Sequence, residues 1–480
     1  MSDLTVDVAV VGAGPAGLAA AVAAAEAGAV VAVVDAGTQT GGQFWRHRPE
    51  TGDADPDGHG HHDWNTFLDL RRRFRAGIAA GRVHHLPGLQ VWMASKNDVD
   101  GFTLRTTRTV VGGEGVTPTV HAARLVLCPG GYDRQLPVPG WDLPGVMAAG
   151  GIQAFIKANG ALPGKRFVVA GTGPFLLPVA ANIAEAGGEV LAVLESSSLS
   201  KWFPHWKAAA SVPGKALEGA EYAGIFARHR IPYKTRSIVT AVSGTDRVQT
   251  VSWAKADADG RAIPGTGGRY EDVDVIGFGW GFTPQMELPL SFGVQTRLDA
   301  DGSLVAVVDE RQESSVPGLF LAGEVTGVGG AVLAVLEGKA AGTAAADASA
   351  VVLPADVLPA KEAARRDRHR RFAQAMHQAH PVPHAWQEWL TPETLVCRCE
   401  EVPVSEVTQA RSTLGAEDSR SLKSFTRVGM GWCQGRVCGF AGSCLGAGPG
   451  EPAAAASLAS AAKRPLAVPV PISELASLND

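Results

Sequence analysis

The sequence predicts an α/β chain in which one strand–turn–helix unit is inserted into another and a small, helical, cysteine-bearing domain follows. Three observations predict it. A β-branched apolar run, a glycine-rich turn and an alanine-rich helical run occur at Val8–Ala20, and the pattern repeats at Phe167–Leu176. A third strand-like run ends in Ala322-Gly323-Glu324 and returns the chain to a helical run over Ala331–Ala346. Five cysteines, Cys397, Cys399, Cys433, Cys438 and Cys444, crowd into the last quarter.

The bulk numbers set limits. At roughly 150 residues per domain, 480 residues imply about three domains. A hydrophobic content of 45% with 19% charged residues is that of an ordinary globular protein. The 43 basic and 48 acidic residues leave a net charge of −5, which gives nucleic acid no electrostatic footprint. The N-terminus carries Asp3 and Asp7 and no basic run; Glu26 and Gly28 interrupt the apolar stretch after it, and Asp35 ends it. That stretch reads as βαβ, not as a signal peptide or transmembrane span, so a cytoplasmic chain is expected, held at a membrane only through a partner.

In the first unit Val8–Val11 feeds Gly12-Ala13-Gly14-Pro15-Ala16-Gly17. Gly12 allows the tight turn, Gly14 lets the backbone approach a pyrophosphate, and Gly17 lets helix pack on strand. Pro15 and Ala16 open the helix, whose free N–H groups and dipole suit an anion. The second strand, Val30–Val34, ends in Asp35, placed to bind a ribose hydroxyl. Gly41–Arg46 is a loop in which Gly42, Gln43 and Arg46 can approach a flat ring. The histidines of Gly58–Asp63 lack helical spacing and read as a solvated loop, and the four arginines of Leu70–Arg75 read as a solvated helix face. Residues 83–128 alternate in period two, as a β-meander with strands at Val91–Met93, Phe102–Leu104, Thr109–Val111 and Ala123–Leu127. The last strand ends in Cys128-Pro129-Gly130-Gly131, where α/β folds bind ligands, so Gly130 is a candidate contact. Cys128 has no cysteine close in sequence and reads as a buried small residue.

Pro137–Gly145 is a rigid connector to the second unit. There Gly171 and Gly173 open the turn, Leu176 stands where the third glycine belongs, and Val190–Leu194 ends in Glu195. Glu195 favours a free ribose 2′-hydroxyl, so the unit either holds NAD or an adenine nucleotide or is vestigial. After Val273–Phe278 comes the return strand. Its end suits two roles: Glu324 accepts a hydrogen bond from a ribityl or ribose hydroxyl, and the helix start at Gly330-Ala331 faces a flavin N1/C2 carbonyl.

The basic run Lys361–Ala379 reads as a solvated linker helix. Beyond it the cysteines form C-x-C … C-x4-C, Cys397, Cys399, Cys433 and Cys438. Four thiolates suit zinc or an iron–sulfur cluster, and zinc knuckles favour wider pairs. Gly429, Gly431, Gly435 and Gly439 clear the backbone, Arg436 and Lys423 are placed to offset cluster charge, and Cys444 is structural. Gly446–Ala462 is a Gly/Ala/Pro-rich linker, and a proline-stiffened tail follows, laid along the body.

On Gly12, Gly14, Gly17, Asp35, Gly130-Gly131 and Ala322-Gly323-Glu324 the chain resembles the two-dinucleotide-binding flavoproteins, a glutathione-reductase-like arrangement of two Rossmann-like units. The resemblance implies FAD on the N-terminal unit. Asp35 departs from it, since Glu is usual there. No C-x-x-C or C-x4-C lies in that part, so disulfide-reductase chemistry is not expected. Gly429-Met430-Gly431-x-Cys433-Gln434-Gly435-Arg436-x-Cys438-Gly439 resembles the bacterioferritin-associated-ferredoxin-like domain, which implies a [2Fe–2S] cluster on the four cysteines, with zinc or an empty site as the alternative. With Tyr132–Trp141, Gly281–Pro284 and the tail, the whole chain is similar to the FAD- and [2Fe–2S]-carrying subunit of opine oxidases, hydrogen cyanide synthase and dye-linked proline or hydroxyproline dehydrogenases.

That resemblance implies a hetero-oligomer, in which an amine-oxidising FAD subunit passes electrons to this chain, with room for a small ferredoxin-like subunit. The expected domains are 1–140 and 286–350 for the FAD unit, 141–285 for the insert, 351–392 for the basic linker, 393–445 for the cluster domain and 446–480 for the linker and tail. A self-sufficient NADH-dependent oxidoreductase and a non-enzymatic iron–sulfur scaffold or sensor are the alternatives. No residue stands out as a catalytic acid, base or nucleophile.

Overall fold

The computed structural model describes residues 3–50, 52, 55–58, 60–97, 101–109, 117–347 and 357–476. Its first sheet has seven strands. Val83–Pro87, Val31–Asp35, Leu4–Val11 and Thr119–Leu127 lie side by side in parallel. The strand Thr119–Leu127 serves two neighbours. Its first half pairs antiparallel with Gly101–Arg108, which pairs in turn with Leu89–Asn97, and its last three residues pair in parallel with Leu319–Leu321. The return strand therefore completes the first sheet from the far side of the insert. The meander that the period-two pattern predicts is present, but Val83–Pro87 joins the parallel edge instead. The strand expected over Thr109–Val111 is replaced by Gly101–Arg108, with residues 110 and 111 outside the described set.

The second sheet is wholly parallel, in the order Tyr233–Thr235, Glu189–Glu195, Arg166–Gly171, Val275–Gly279 and Val146–Ala148. Its central strands are buried on both faces, which explains their continuous apolar runs. Two short antiparallel strands, Gly131–Asp133 and Phe282–Pro284, join the units.

Three surface readings differ from the sequence expectation. Arg71 is 3% exposed, because its guanidinium turns inward to Glu50 at 2.8 Å and Asp55 at 3.0 Å. In the histidine loop His61 Nε2 meets the Arg46 carbonyl at 2.6 Å and His62 Nε2 meets the Tyr222 hydroxyl at 2.5 Å, while His59 lies outside the described residues. The basic helix, Ala360–Ala379, buries His369, Ala373 and His377 on one face and Ala375 and Ala379 on another. It packs against both units and leaves Lys361, Arg365 and Arg371 in solvent.

The C-terminal domain is a short hairpin, Leu395–Cys397 with Val402–Pro403, and the helices Val404–Leu414, Ser419–Thr426 and Gly439–Ala447 around Val396, Val407, Ala410 and Leu422. Ala455–Ala462, expected as linker, is a helix that buries Ser457 and Leu458; alanine has the highest helix propensity, and packing supplies the rest. Among the described residues no helix is long and apolar enough to cross a membrane.

Candidate functional site: a cofactor cavity walled by the cysteine loop

Two helices fix the site. Pro15–Glu26 and Ala331–Ala346 lie in direct backbone contact. A Cβ on Gly338 would stand 2.0 Å from the Ala16 carbonyl oxygen, and one on Gly342 would stand 2.1 Å from that of Ala20. Each helix is preceded by a glycine, Gly14 or Gly330, so no N-cap side chain covers its first amides. Both N-termini open into one cavity of about 1610 Å³. Its size exceeds the several hundred Å³ of an ordinary small-molecule site and suits a dinucleotide.

The residues expected at the first nucleotide gather here. Gly12, Gly14, Pro15 and Ala16 line the cavity at the turn. Gly12 has φ +97°, and a Cβ on it would stand 2.3 Å from the Cys128 carbonyl oxygen. Gly17 does not face the cavity; it packs the helix onto the turn, 1.8 Å from the Gly12 oxygen at its would-be Cβ. Asp35 lines the wall, accepting from Ala13 N at 2.9 Å and Gly37 N at 2.8 Å, and burial raises its carboxyl. Gly42, Gln43 and Arg46 form the facing loop, with Arg46 Nε donating to Gln43 Oε1 at 3.1 Å. Gly130, Gly323, Glu324, Gly330 and Ala331 complete the far side.

Glu324 is the polar centre of that side. Burial pushes its carboxyl up to about 7, against the nearby Arg370 cation. Its Oε2 has no hydrogen-bond partner. The turn that carries it is held by Glu337, which sequence reasoning missed. Glu337 is 2% exposed, accepts from Gly323 N at 3.0 Å and from Thr326 Oγ1 at 2.9 Å, and pairs with Arg370 of the basic helix. A lone Glu inside an Ala/Gly helix was the available signal. Lys157 and Asp133 also line the cavity. Burial lowers Lys157 to about 8 and raises Asp133 to about 6.

The second unit looks different. The cavity reaches Gly173, but Gly171 is spent on packing, 1.8 Å from the Gly279 oxygen at its would-be Cβ. Leu176 is accommodated by Gly279, whose would-be Cβ lies 2.9 Å from the Leu176 side chain. Glu195 is 1% exposed and does not face the cavity. It accepts from Thr172 Oγ1 at 3.1 Å, Gly173 N at 2.9 Å and Ser197 N at 2.8 Å. Its remaining side meets His380 Nδ1 at 3.5 Å, and the Ser197 hydroxyl donates to the Ala379 carbonyl at 2.6 Å. The end of the basic helix thus packs against Glu195.

The four C-terminal cysteines come together. The Cys438 thiol lies against Cys397 and Cys433, and Cys433 lies against Cys399. With backbone amides helping, the contact with Cys438 holds Cys397 down to about 6 and Cys433 to about 5. Gly431 is required by the close approach of Cys399, whose Cβ would stand 2.3 Å from a Cβ on Gly431. Among the described residues, no three His, Cys, Asp or Glu side chains form a single-ion site. Four thiols are a donor set that a binuclear iron–sulfur cluster or a tetrahedral zinc would each accept. Cys444 is buried. Arg436 and Val437, between Cys433 and Cys438, line the same cavity as Glu324.

The sequence profile of the pyridine nucleotide-disulphide oxidoreductases matches residues 6–348. The chain belongs to that family. Within the family it is similar to a subunit of opine oxidase from Agrobacterium tumefaciens (strain Ach5), 32% identical over 454 residues, 90% of this chain and 84% of that one. Hydrogen cyanide synthase subunit HcnB of Pseudomonas aeruginosa PAO1 is 30% identical over 441 residues, 89% of this chain and 90% of its own. L-Proline dehydrogenase from P. horikoshii shares the fold over 99% of this chain and 80% of that one, with a TM-score of 0.65 at 19% identity. The family is flavin-dependent, and this member is an FAD-dependent oxidoreductase. Its residues fit the cofactor. The cavity, the two uncovered helix N-termini and the partnerless buried Oε2 of Glu324 are what a dinucleotide with ribityl hydroxyls requires. The family name also denotes disulphide chemistry. Cys128 is the only cysteine in the matched region, and burial raises its thiol far above the usual range, so this member lacks a dithiol centre.

Proposed function

We propose that this chain is the electron-transfer subunit of an amino-acid or opine dehydrogenase or oxidase. In this reading an amine-oxidising flavoprotein partner removes two electrons from a C–N bond, and this chain carries them onward through FAD and a [2Fe–2S] cluster. The observation that carries the reading is the shared wall: Arg436 and Val437 of the four-cysteine loop line the cavity that Gly14, Glu324 and Gly330 shape. FAD supplies the conversion between two-electron and one-electron chemistry when bound. The protein's part is positional. Gly12–Ala16 and Gly330–Ala331 present amides to negative charge, Glu324 accepts a hydroxyl, and Cys397–Cys399 with Gly429–Cys438 bring four sulfurs beside the cavity. The relatives support a partner, since their names designate subunits of opine oxidase and hydrogen cyanide synthase.

NADH-dependent action on its own is the second reading, favoured by the cavity's extension to Gly173. The engagement of Glu195 by Thr172, Gly173, Ser197 and His380 weighs against it. One anaerobic experiment separates the two. The isolated chain, purified with its chromophores, should keep its flavin spectrum on addition of NADH, and reduction should follow only when the amine-oxidising partner and an amine substrate are added. Rapid bleaching by NADH alone would overturn the proposal in favour of the second reading.

A further inference from the structure

Between the cysteine loop and the cavity lies a buried charge pair, in which Arg436, the arginine placed to offset cluster charge, meets the carboxylate of Glu287. Arg436, two residues before Cys438, reaches from the cysteine loop to three other parts of the chain. Its Nε donates to the Tyr132 hydroxyl at 2.6 Å and lies 3.1 Å from Glu287 Oε1. Tyr132 OH stands 3.4 Å from the same carboxylate oxygen, and the guanidinium sits 5.5 Å from the Tyr132 ring centre. One terminal nitrogen holds the tail through the Ala467 carbonyl at 2.6 Å, and the other reaches the Cys433 carbonyl at 3.4 Å. Glu287 is 7% exposed, so this pair is desolvated. The groups come from four parts of the chain: the joining strand Gly131–Asp133, the short helix Glu287–Ser291, the cysteine loop and the tail. A desolvated pair repays its desolvation only where the geometry is good and further hydrogen bonds satisfy both groups, as Tyr132 and the Ala467 carbonyl do here.

We propose that Tyr132, Glu287 and Arg436 form a charge-compensated latch, which fixes the cysteine loop in the cavity wall and sets how readily that loop's metal centre takes an electron. The inference rests on the cluster reading given above. The step it serves moves one electron from the flavin side of the cavity to the four-cysteine loop; no bond is made or broken in the latch and no proton passes through it. The electron adds negative charge at the loop. The Arg436 cation favours its arrival and the Glu287 carboxylate opposes it. Reduction potentials of such centres follow net charge, hydrogen bonding and exposure. The latch residues are positioning residues and touch no reacting atom.

The sign of each effect makes the test sharp. In the loaded chain, Arg436→Gln should lower the midpoint potential of the iron–sulfur signal, followed by electron paramagnetic resonance, and Glu287→Gln should raise it. Each shift should be about tenfold in electron partition, about 59 mV for one electron. The double variant should return close to the parent, and Arg436→Lys should keep most of its potential. A role confined to holding the loop would move both single variants in the same direction, and that result, or no shift in either, overturns the electrostatic role. Metal analysis of the parent protein tests the cluster reading separately, because zinc in place of iron is visible before any variant is made. The positional role is read on the metal-free chain. Tyr132→Phe and Glu287→Gln should speed hydrogen exchange over residues 433–438 about tenfold, and unchanged exchange overturns it.

Discussion

Replacing Glu324 by Gln should stabilise the cofactor-free protein and weaken FAD binding at the same time. Burial raises the Glu324 carboxyl from 4.5 to about 7, with Arg370 opposing and Glu337 assisting. A carboxyl raised in the folded state is neutral there at low pH and must lose its proton at a cost as pH climbs. The cost begins near the unfolded value of 4.5 and is complete above about 7. That interval, at about 1.4 kcal/mol per tenfold, corresponds to about 3 kcal/mol. Gln keeps the shape and does not titrate. Urea unfolding of the apoprotein between pH 4.5 and 8 should therefore show parent stability falling relative to Glu324→Gln across the interval, with the variant ahead by about 3 kcal/mol at the upper end. FAD binding reverses the preference. A hydroxyl donating to a carboxylate contributes roughly 1.5–3 kcal/mol, so the variant should bind FAD about 10- to 100-fold more weakly by fluorescence titration at neutral pH. Parallel stability curves at every pH, or an unchanged FAD affinity, would refute the assignment of Glu324.

Two further substitutions test the scaffold. Gly338→Leu should force the two cavity helices apart and abolish FAD retention, because its Cβ would stand 2.0 Å from the Ala16 oxygen; Gly224→Ala, with nothing within 4 Å, should be neutral or slightly stabilising in thermal unfolding. Arg71→Met should cost about 2 kcal/mol in denaturant unfolding, less than the loss of an isolated buried pair, because Arg75 stays 2.6 Å from Glu50. Adding Glu50→Gln should recover part of it.

The family and the FAD unit were legible early because local patterns carry them. A strand, a glycine turn and a helix are contiguous, so Gly12, Gly14 and Asp35 announce themselves by spacing. The four cysteines are likewise two short motifs. The surface readings failed for a shared reason. The arginines after Leu70, the basic helix and the alanine-rich stretch were judged by composition. Composition does not report that Glu50 waits for Arg71, that Glu337 waits for Arg370, or that Leu458 finds an apolar neighbour.

By itself the sequence determined which chemistry is available: two nucleotide-type turns, one return strand with Gly323-Glu324, no dithiol in the flavin part and four thiols in two short motifs, the second rich in glycine. The tertiary structure alone decided how those parts relate. It aimed two helix N-termini into one cavity through Gly338 and Gly342, turned Glu195 away from that cavity, and set Arg436 in its wall against Tyr132, 304 residues away in sequence. The physical reason is that turns and caps follow from neighbouring residues. A buried charge or a backbone contact between helices depends on which distant group arrives to meet it.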